Sequence, residues 1–412
     1  MRRLLVLAPL LIAPLVVAAT HAAQQAPAPS SPQASVVVEA ARDPGVSRLS
    51  DDTENRWVPF TLTPGNQIRF TMTLDGRSVS AILDTGVSFT VLARSSDAVV
   101  PKRLRSGGSA TAIGGAVAVG WMSTRRVELG GLVRTGGGVT VADLPAIATG
   151  DAQPVDLLVG RDLTALHALD IDYAGKRFRL LPSGRMPFAG AVAPLTVSPQ
   201  RRVYESTLRL GAARLAPVIV DTGDGSSVTV TRAGWTAAKL ASLPVTSTIG
   251  FGLGGASVND LAIVPHLTLG TLDAQDVEVR IEPPGGFSQS IGVAGRIGSG
   301  FLQRYRVLLD PYAGRMVLKG DGAQTPPLRS TSGLLVGVAP DRLRVLHVMR
   351  GSPAQAGGWR TDDLICAVDG RPVTKDYATS PLARWSVGAP GTVVRLSDCN
   401  GQTRTLTLRR FY

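Results

Sequence analysis

Two copies of one word, Asp84-Thr85-Gly86 and Asp221-Thr222-Gly223, stand 137 residues apart in this 412-residue chain, each at the end of an apolar run. The runs are Ala81-Ile82-Leu83 and Val218-Ile219-Val220. Each follows a stretch that alternates as a half-buried strand does: Ile68, Phe70, Met72 and Leu74 in the first copy, Tyr204, Ser206, Leu208 and Leu210 in the second. The copies stay in step downstream. Leu158-Val159-Gly160 meets Arg296-Ile297-Gly298, and Asp172-Tyr173-Ala174-Gly175-Lys176-Arg177 meets Asp310-Pro311-Tyr312-Ala313-Gly314-Arg315, both at an offset of 138. A short word recurs by chance, whereas an ordered series at near-constant offset does not. The chain is a duplicated β unit, and its fold must bring two equivalent halves together.

Length leaves room for about three domains, since one core stops growing well before 412 residues. The 46 glycines and 28 prolines favour many turns and short strands, and a hydrophobic content of 44% excludes global disorder. Helices are expected only at 161–169, at 232–243 and near 354–356. The formal charge is +12, carried by 43 basic residues of which only five are lysine. They are scattered, with no run of like charge and no interleaved aromatic stripe, so they read as solvated faces and no nucleic-acid partner is expected.

Arg2 and Arg3 precede an apolar stretch from Leu4 to Ala19, and Thr20-His21-Ala22 supplies a small-x-small cleavage site, so 1–22 reads as a signal peptide. Periplasmic or secreted localisation follows, with no stable membrane span after cleavage; the stretch is short for a bilayer and holds Pro9 and Pro14. Residues 23–54 read as a flexible linker, 55–186 and 187–320 as the two halves, and 330–412 as a third unit.

An apolar strand ending in Asp-Thr-Gly delivers a carboxylate to the end of a buried segment. The glycine lets the backbone turn sharply, and the Thr hydroxyl can reach a neighbouring loop. If the halves pair about a pseudo-twofold axis, Asp84 and Asp221 face each other, and like charges that close cannot both ionise. The ionised member can act as general base on a water while the protonated one donates to a carbonyl oxygen. The two loops, each followed by an apolar-Gly step, resemble the aspartic protease superfamily of pepsin and the retroviral proteases, and Gly160-Arg161-Asp162-Leu163 is closer to the retroviral type, here in tandem. The resemblance spans roughly 57–319. It implies a mainly β, bilobal double β-barrel, catalytic Asp84 and Asp221, loops held by Thr85, Gly86, Thr222 and Gly223, polypeptide substrates, and no cofactor or metal. It also implies a Gly-rich β-hairpin flap in each half, at 107–118 and 248–257.

Pepsin-like enzymes commonly place Ser or Thr after Asp-Thr-Gly, where it hydrogen-bonds the carboxylate; here Val87 and Asp224 stand there. Val87 offers no donor. Asp224 is either a third acid that modulates the pair or a solvent-facing turn residue beside Gly225-Ser226-Ser227. Both changes are expected to raise the pair's pKa values and extend activity toward neutral pH. Ser88, two residues past Gly86, is a further candidate support, with Gly225 opposite it in the second copy.

The third unit resembles a PDZ domain of the bacterial secreted-protease type, through Gly351-Ser352-Pro353-Ala354, Ala356-Gly357, and Asp363-Leu364-Ile365 running into Val368-Asp369-Gly370-Arg371-Pro372-Val373. Such domains bind a peptide as an added strand, which implies a carboxylate-binding loop near Gly333, Leu334 and Leu335. A unit that packs against the protease or occludes it is the competing reading. Cys366 and Cys399, the only cysteines, both fall on expected strands there, either bridged or as two buried thiols. His21, His167, His266 and His347 are isolated, so no zinc site is expected. The leading expectation is an exported aspartic endopeptidase, monomeric and single-chain. Its rivals are an obligate dimer in which each half pairs with its twin, and a catalytically silent scaffold whose PDZ unit binds C-terminal peptides.

Overall fold

A computed structural model of the chain describes residues 44–149, 154–320 and 326–412. The expected signal peptide and most of the expected linker lie outside them. The last part of that linker is ordered: Val46–Leu49 is a strand paired with Leu132–Thr135, so the tether reading does not extend to residue 54. Among the described residues the fold is mainly β, with helices of seven residues or fewer. Among the described residues no helix is long and apolar enough to cross a membrane.

Each half builds its Asp loop by the same route. In the first, Ile68–Leu74 turns tightly at Asp75 and Gly76, both at positive φ, into Arg77–Leu83, and its alternate side chains Ile68, Phe70, Met72 and Leu74 enter the core. In the second, Tyr204–Leu210 runs into Ala213–Asp221. Beside each lies a parallel strand from far along the chain: Leu157–Val159 pairs with Ala81, Ile82 and Leu83, and Gly295–Gly298 pairs with Val218 to Asp221. That pairing is why the apolar-Gly step recurs with the Asp word. A strand central to the sheet, buried on both faces, is expected to be nearly all apolar, and Arg296 is the exception here.

The halves join in one six-stranded sheet. Its order is Ala191–Pro194, Arg315–Gly320, Tyr305–Asp310, Ala168–Asp172, Arg177–Leu181 and Val58–Pro59. Each half contributes a hairpin, and they meet antiparallel in the middle, Leu169 opposite Leu309 and Ile171 opposite Val307. This sheet claims residues expected to be helical. The helix at 161–169 stops after Arg161–Thr164, because Ala168–Asp172 is drawn into the inter-half sheet. The helix at 232–243 spans only Arg232–Ala238, ended by Lys239 in the left-handed conformation. One core runs through both halves, from Ile68 and Leu83 to Val220 and Phe301.

Residues 334–407 form a three-stranded and a four-stranded sheet around a separate core of Leu334, Val345, Trp359, Ile365, Trp385 and Leu396. Ser352 caps the short helix Pro353–Ala356, accepting from the Gln355 N–H. Cys366 and Cys399 are bonded, which excludes the two-thiol reading. Neither cysteine is on a strand: Cys366 lies between Leu364–Ile365 and Ala367–Val368, and Cys399 lies in the turn after Val393–Ser397.

Candidate active site

Asp84 and Asp221 end their strands nine-tenths buried, at 9% and 7% exposure. The loops that follow interlock. The Thr85 N–H donates to Thr222 Oγ1 and the Thr222 N–H to Thr85 Oγ1, both at 3.0 Å. The Thr85 hydroxyl donates to the Val220 carbonyl at 2.7 Å, and the Thr222 hydroxyl to the Leu83 carbonyl at 2.8 Å. Four buried hydrogen bonds tie the ends of the two apolar strands, and the twofold relation is exact in partners.

The glycines let the carboxylates meet. A Cβ on Gly86 would lie 2.3 Å from the Asp221 carboxyl carbon, and one on Gly223 would lie 2.2 Å from that of Asp84. Each carboxylate therefore rests on the bare Cα of the opposite loop. Asp84 Oδ1 accepts the Gly86 N–H at 3.0 Å. Asp221 Oδ1 accepts two, from Gly223 at 2.9 Å and Asp224 at 3.0 Å. Burial, then the charge of Asp221, pushes the Asp84 carboxyl well above the usual carboxylate range. Burial and the Asp224 charge push Asp221 up to about 6, against the pull of the Arg296 guanidinium.

Asp224 is not a solvent-facing turn residue. Its side chain is 10% exposed and paired with Arg296 at 2.9 Å, and Oδ1 accepts the Ser226 N–H. Burial raises its pKa, but Arg296, Arg280 and the hydrogen bonds from Ser226 outweigh that and hold it below the usual range. Val87 makes no such contact, and Ser88 donates to the Arg201 carbonyl instead of the carboxylate.

A cleft of about 840 Å³ opens over the pair. Two hairpins cover it, Leu104–Ala112 with Gly115–Ser123 and Thr246–Gly252 with Gly255–Leu269, which contain the expected flap segments. Their tips touch: the Gly254 N–H donates to the Ile113 carbonyl at 2.9 Å, and a Cβ on Gly114 would lie 2.4 Å from the Gly255 carbonyl oxygen.

Several residues that shape the site were not singled out in the sequence. Gln67 Nε2 donates to the Gly223 carbonyl at 2.7 Å and Asn66 Nδ2 to the Gly225 carbonyl at 3.0 Å, so a turn of the first half clamps the second Asp loop. Isolated amide side chains carry no pattern that would reveal them. Arg296 did leave a signal: the repeat sets it opposite Leu158, a cation where a central strand is expected to be apolar. A third set joins the second hairpin to the C-terminal unit. Ser247 Oγ bonds His347 Nε2 at 2.8 Å and accepts the Arg350 N–H at 3.0 Å, Thr246 Oγ1 donates to the Arg350 carbonyl, and Arg350 pairs with Asp260 at 2.9 Å.

Gly333 and Leu334 lie before and at the start of the edge strand Leu334–Val338, with Leu335 opposite His347. The Gly333 N–H donates to Ser330 Oγ and the Leu334 N–H to Ser332 Oγ, so these amides are internally satisfied.

Residues 70–163 match the family model described as aspartyl protease. The match takes in Asp84-Thr85-Gly86 and ends just beyond Gly160-Arg161-Asp162. It supports an aspartyl protease family for the chain, and with it peptidase chemistry on polypeptide substrates. No curated protein matches the chain.

Proposed function

We propose that the protein is a single-chain aspartic endopeptidase whose two halves, forming the expected double β-barrel, supply one carboxyl each. The observation that carries this is the pair Asp84 and Asp221, each buried against the opposite glycine under a reciprocal threonine interlock. Two carboxyls so placed hold one proton between them. The ionised member removes a proton from water as its oxygen attacks the peptide carbonyl carbon, and the protonated member donates to the carbonyl oxygen. Collapse of the tetrahedral intermediate breaks the C–N bond, and the proton taken from water passes to the leaving nitrogen. The hairpins close on an extended peptide and exclude water.

The C-terminal unit is proposed to be a PDZ-type peptide binder. Its edge strand and the positive-φ Gly333 before it support a strand-addition site, while the seam through Ser247, His347 and Arg350 favours a unit that also restrains the second hairpin. Export is proposed from the leader, and the Cys366–Cys399 bridge supports an oxidising compartment.

The test is digestion of an unfolded polypeptide library by the parent, Asp84→Asn and Asp221→Asn between about pH 3 and 8, the span over which such a pair acts. The parent is expected to cleave, and each variant to lose at least about 10³-fold in kcat/KM, the scale of losing general acid–base catalysis. Equal cleavage by all three contradicts the assignment. A folded parent that cleaves nothing favours a silent scaffold.

A further inference from the structure

The two halves differ directly behind the carboxylates, where they ought to match. Equivalent positions follow from the backbone. The Arg161 N–H donates to the Val87 carbonyl as the Ser299 N–H donates to the Asp224 carbonyl, so Val87 and Asp224 correspond. Leu158 sits between Ile82 and Val91 as Arg296 sits between Ile219 and Thr229. Thr140 faces Trp121, six residues past Gly115, as Arg280 faces Leu261, six past Gly255; two residues further on, Ala142 corresponds to Glu282. The first half thus carries Val87, Leu158 and Ala142, and the second carries Asp224, Arg296 and Glu282.

That second set is a buried ion triad. Arg296 is 4% exposed and Glu282 3%. Arg296 Nε donates to Asp224 Oδ2 at 2.9 Å, and Nη1 donates to Glu282 Oε1 at 2.7 Å and to Ser288 Oγ at 2.8 Å. Glu282 Oε2 also accepts the Ser288 N–H at 2.8 Å. Replacing a buried triad by apolar residues of similar volume is often neutral or stabilising, and the first half has apolar residues at the equivalent positions, its own buried ion pair, Arg134 with Asp162, lying elsewhere. Stability alone does not account for it.

We propose that Arg296, held in place by Asp224 and Glu282, is a positioning residue that makes the two carboxyls inequivalent, keeping the negative charge on Asp221 and the shared proton on Asp84. Asp221 accepts two backbone N–H groups and Asp84 one, and the second comes from Asp224 itself, whose loop is held by the guanidinium of Arg296. The charged groups around Asp221 are Asp84 from the first loop, Asp224 from its own, Arg296 from the adjacent strand, and Arg280 and Glu282 from the next, Arg280 being 3.8 Å from Glu278. Arg296 offsets the repulsion that Asp224 imposes on Asp221. The inference rests on the hydrolytic reading for its consequence but not for its test.

The triad implies opposite responses to its two ends. Asp224→Asn leaves Arg296 to favour the Asp221 carboxylate, so the acid limb of kcat/KM moves to lower pH by about one unit. Arg296→Gln leaves two acids uncompensated and moves that limb upward by about as much. A purely structural role would lower activity in both without moving the limbs apart. The same shifts are read without any substrate by ¹³C-carboxyl NMR titration of Asp84 and Asp221 in the full chain, so a protein that cleaves nothing still tests the inference. Limbs or resonances that move together, or not at all, overturn it. Should a single variant fail to fold, the combination Asp224→Val, Arg296→Leu and Glu282→Ala carries the first half's residues. Its two carboxyls are expected to titrate more alike than the parent's, and unchanged inequivalence overturns the proposal.

Discussion

Replacing Thr85 by Val probes the junction of the halves with little change of volume. Two hydrogen bonds go: the one Thr85 Oγ1 accepts from the Thr222 N–H at 3.0 Å and the one it donates to the Val220 carbonyl at 2.7 Å. Thr85 and Thr222 are 1% and 0% exposed, so water does not replace the lost partner. An orphaned buried donor or acceptor costs about 1–3 kcal/mol, and two of them give a loss of about 4 kcal/mol. That is a large share of the roughly 5–15 kcal/mol that holds a domain together. Thr222→Val breaks the mirror pair, to the Thr85 N–H and the Leu83 carbonyl, and is expected to cost the same within about 1 kcal/mol, given the spread of such measurements. Thr85→Ser restores the hydroxyl and most of the loss. Urea unfolding followed by tryptophan fluorescence gives the numbers, with Trp57, Trp121 and Trp235 reporting on the two halves. A loss below about 1 kcal/mol for either valine variant, less than one orphaned group, refutes the reasoning.

The raised pKa of Asp221 has a stability consequence. Its folded value of about 6 exceeds the ordinary 3.8, so its contribution is present below pH 3.8 and is lost as pH rises through about 6. Asp221→Asn removes that loss, and is expected to be more stable than the parent by about 3 kcal/mol at pH 8 with little difference at pH 4; denaturation at both values checks it. The same shift predicts activity that extends toward neutral pH, and a profile peaking below about pH 4, the ordinary Asp value, contradicts it. Cys366→Ser with Cys399→Ser opens a loop of 33 residues. It is expected to cost the C-terminal unit about 3–4 kcal/mol, seen in urea with Trp359 and Trp385, while cleavage of a short peptide persists. Arg350→Ala removes the ion pair to Asp260 and loosens the second hairpin. Faster amide exchange at 246–261 with 104–123 unchanged is the expected pattern, and equal exchange in both hairpins refutes it.

The Asp loops were legible because they are punctuated twice: an apolar run must reach the core, and a glycine must follow wherever a carboxylate approaches its Cα. The repeat also marked Leu158-Val159-Gly160 and Arg296-Ile297-Gly298, segments that pair parallel with the Asp strands. Local pattern failed where tertiary pairing took over. Residues 168 and 169 continue a plausible helix from Arg161, yet Leu169 and Ile171 are the strand positions that meet Leu309 and Val307. Asp224 was ambiguous for a similar reason. Its neighbours Gly225, Ser226 and Ser227 are turn formers, and only Arg296, 72 residues on, makes it a buried anion. The seam of Ser247, His347 and Arg350 joins segments about 100 residues apart and has no local signature.

The claim on which the account rests is that Asp84 and Asp221 act as one unit toward a tetrahedral centre. Calorimetric titration with a peptide whose scissile amide is replaced by a hydroxyl-bearing carbon measures this directly. The account predicts binding at least about 10²-fold tighter than the parent peptide, as expected of a transition-state mimic, and loss of that advantage in Asp84→Asn and in Asp221→Asn alike. Affinity that is the same for mimic and peptide, or that survives either substitution, contradicts it.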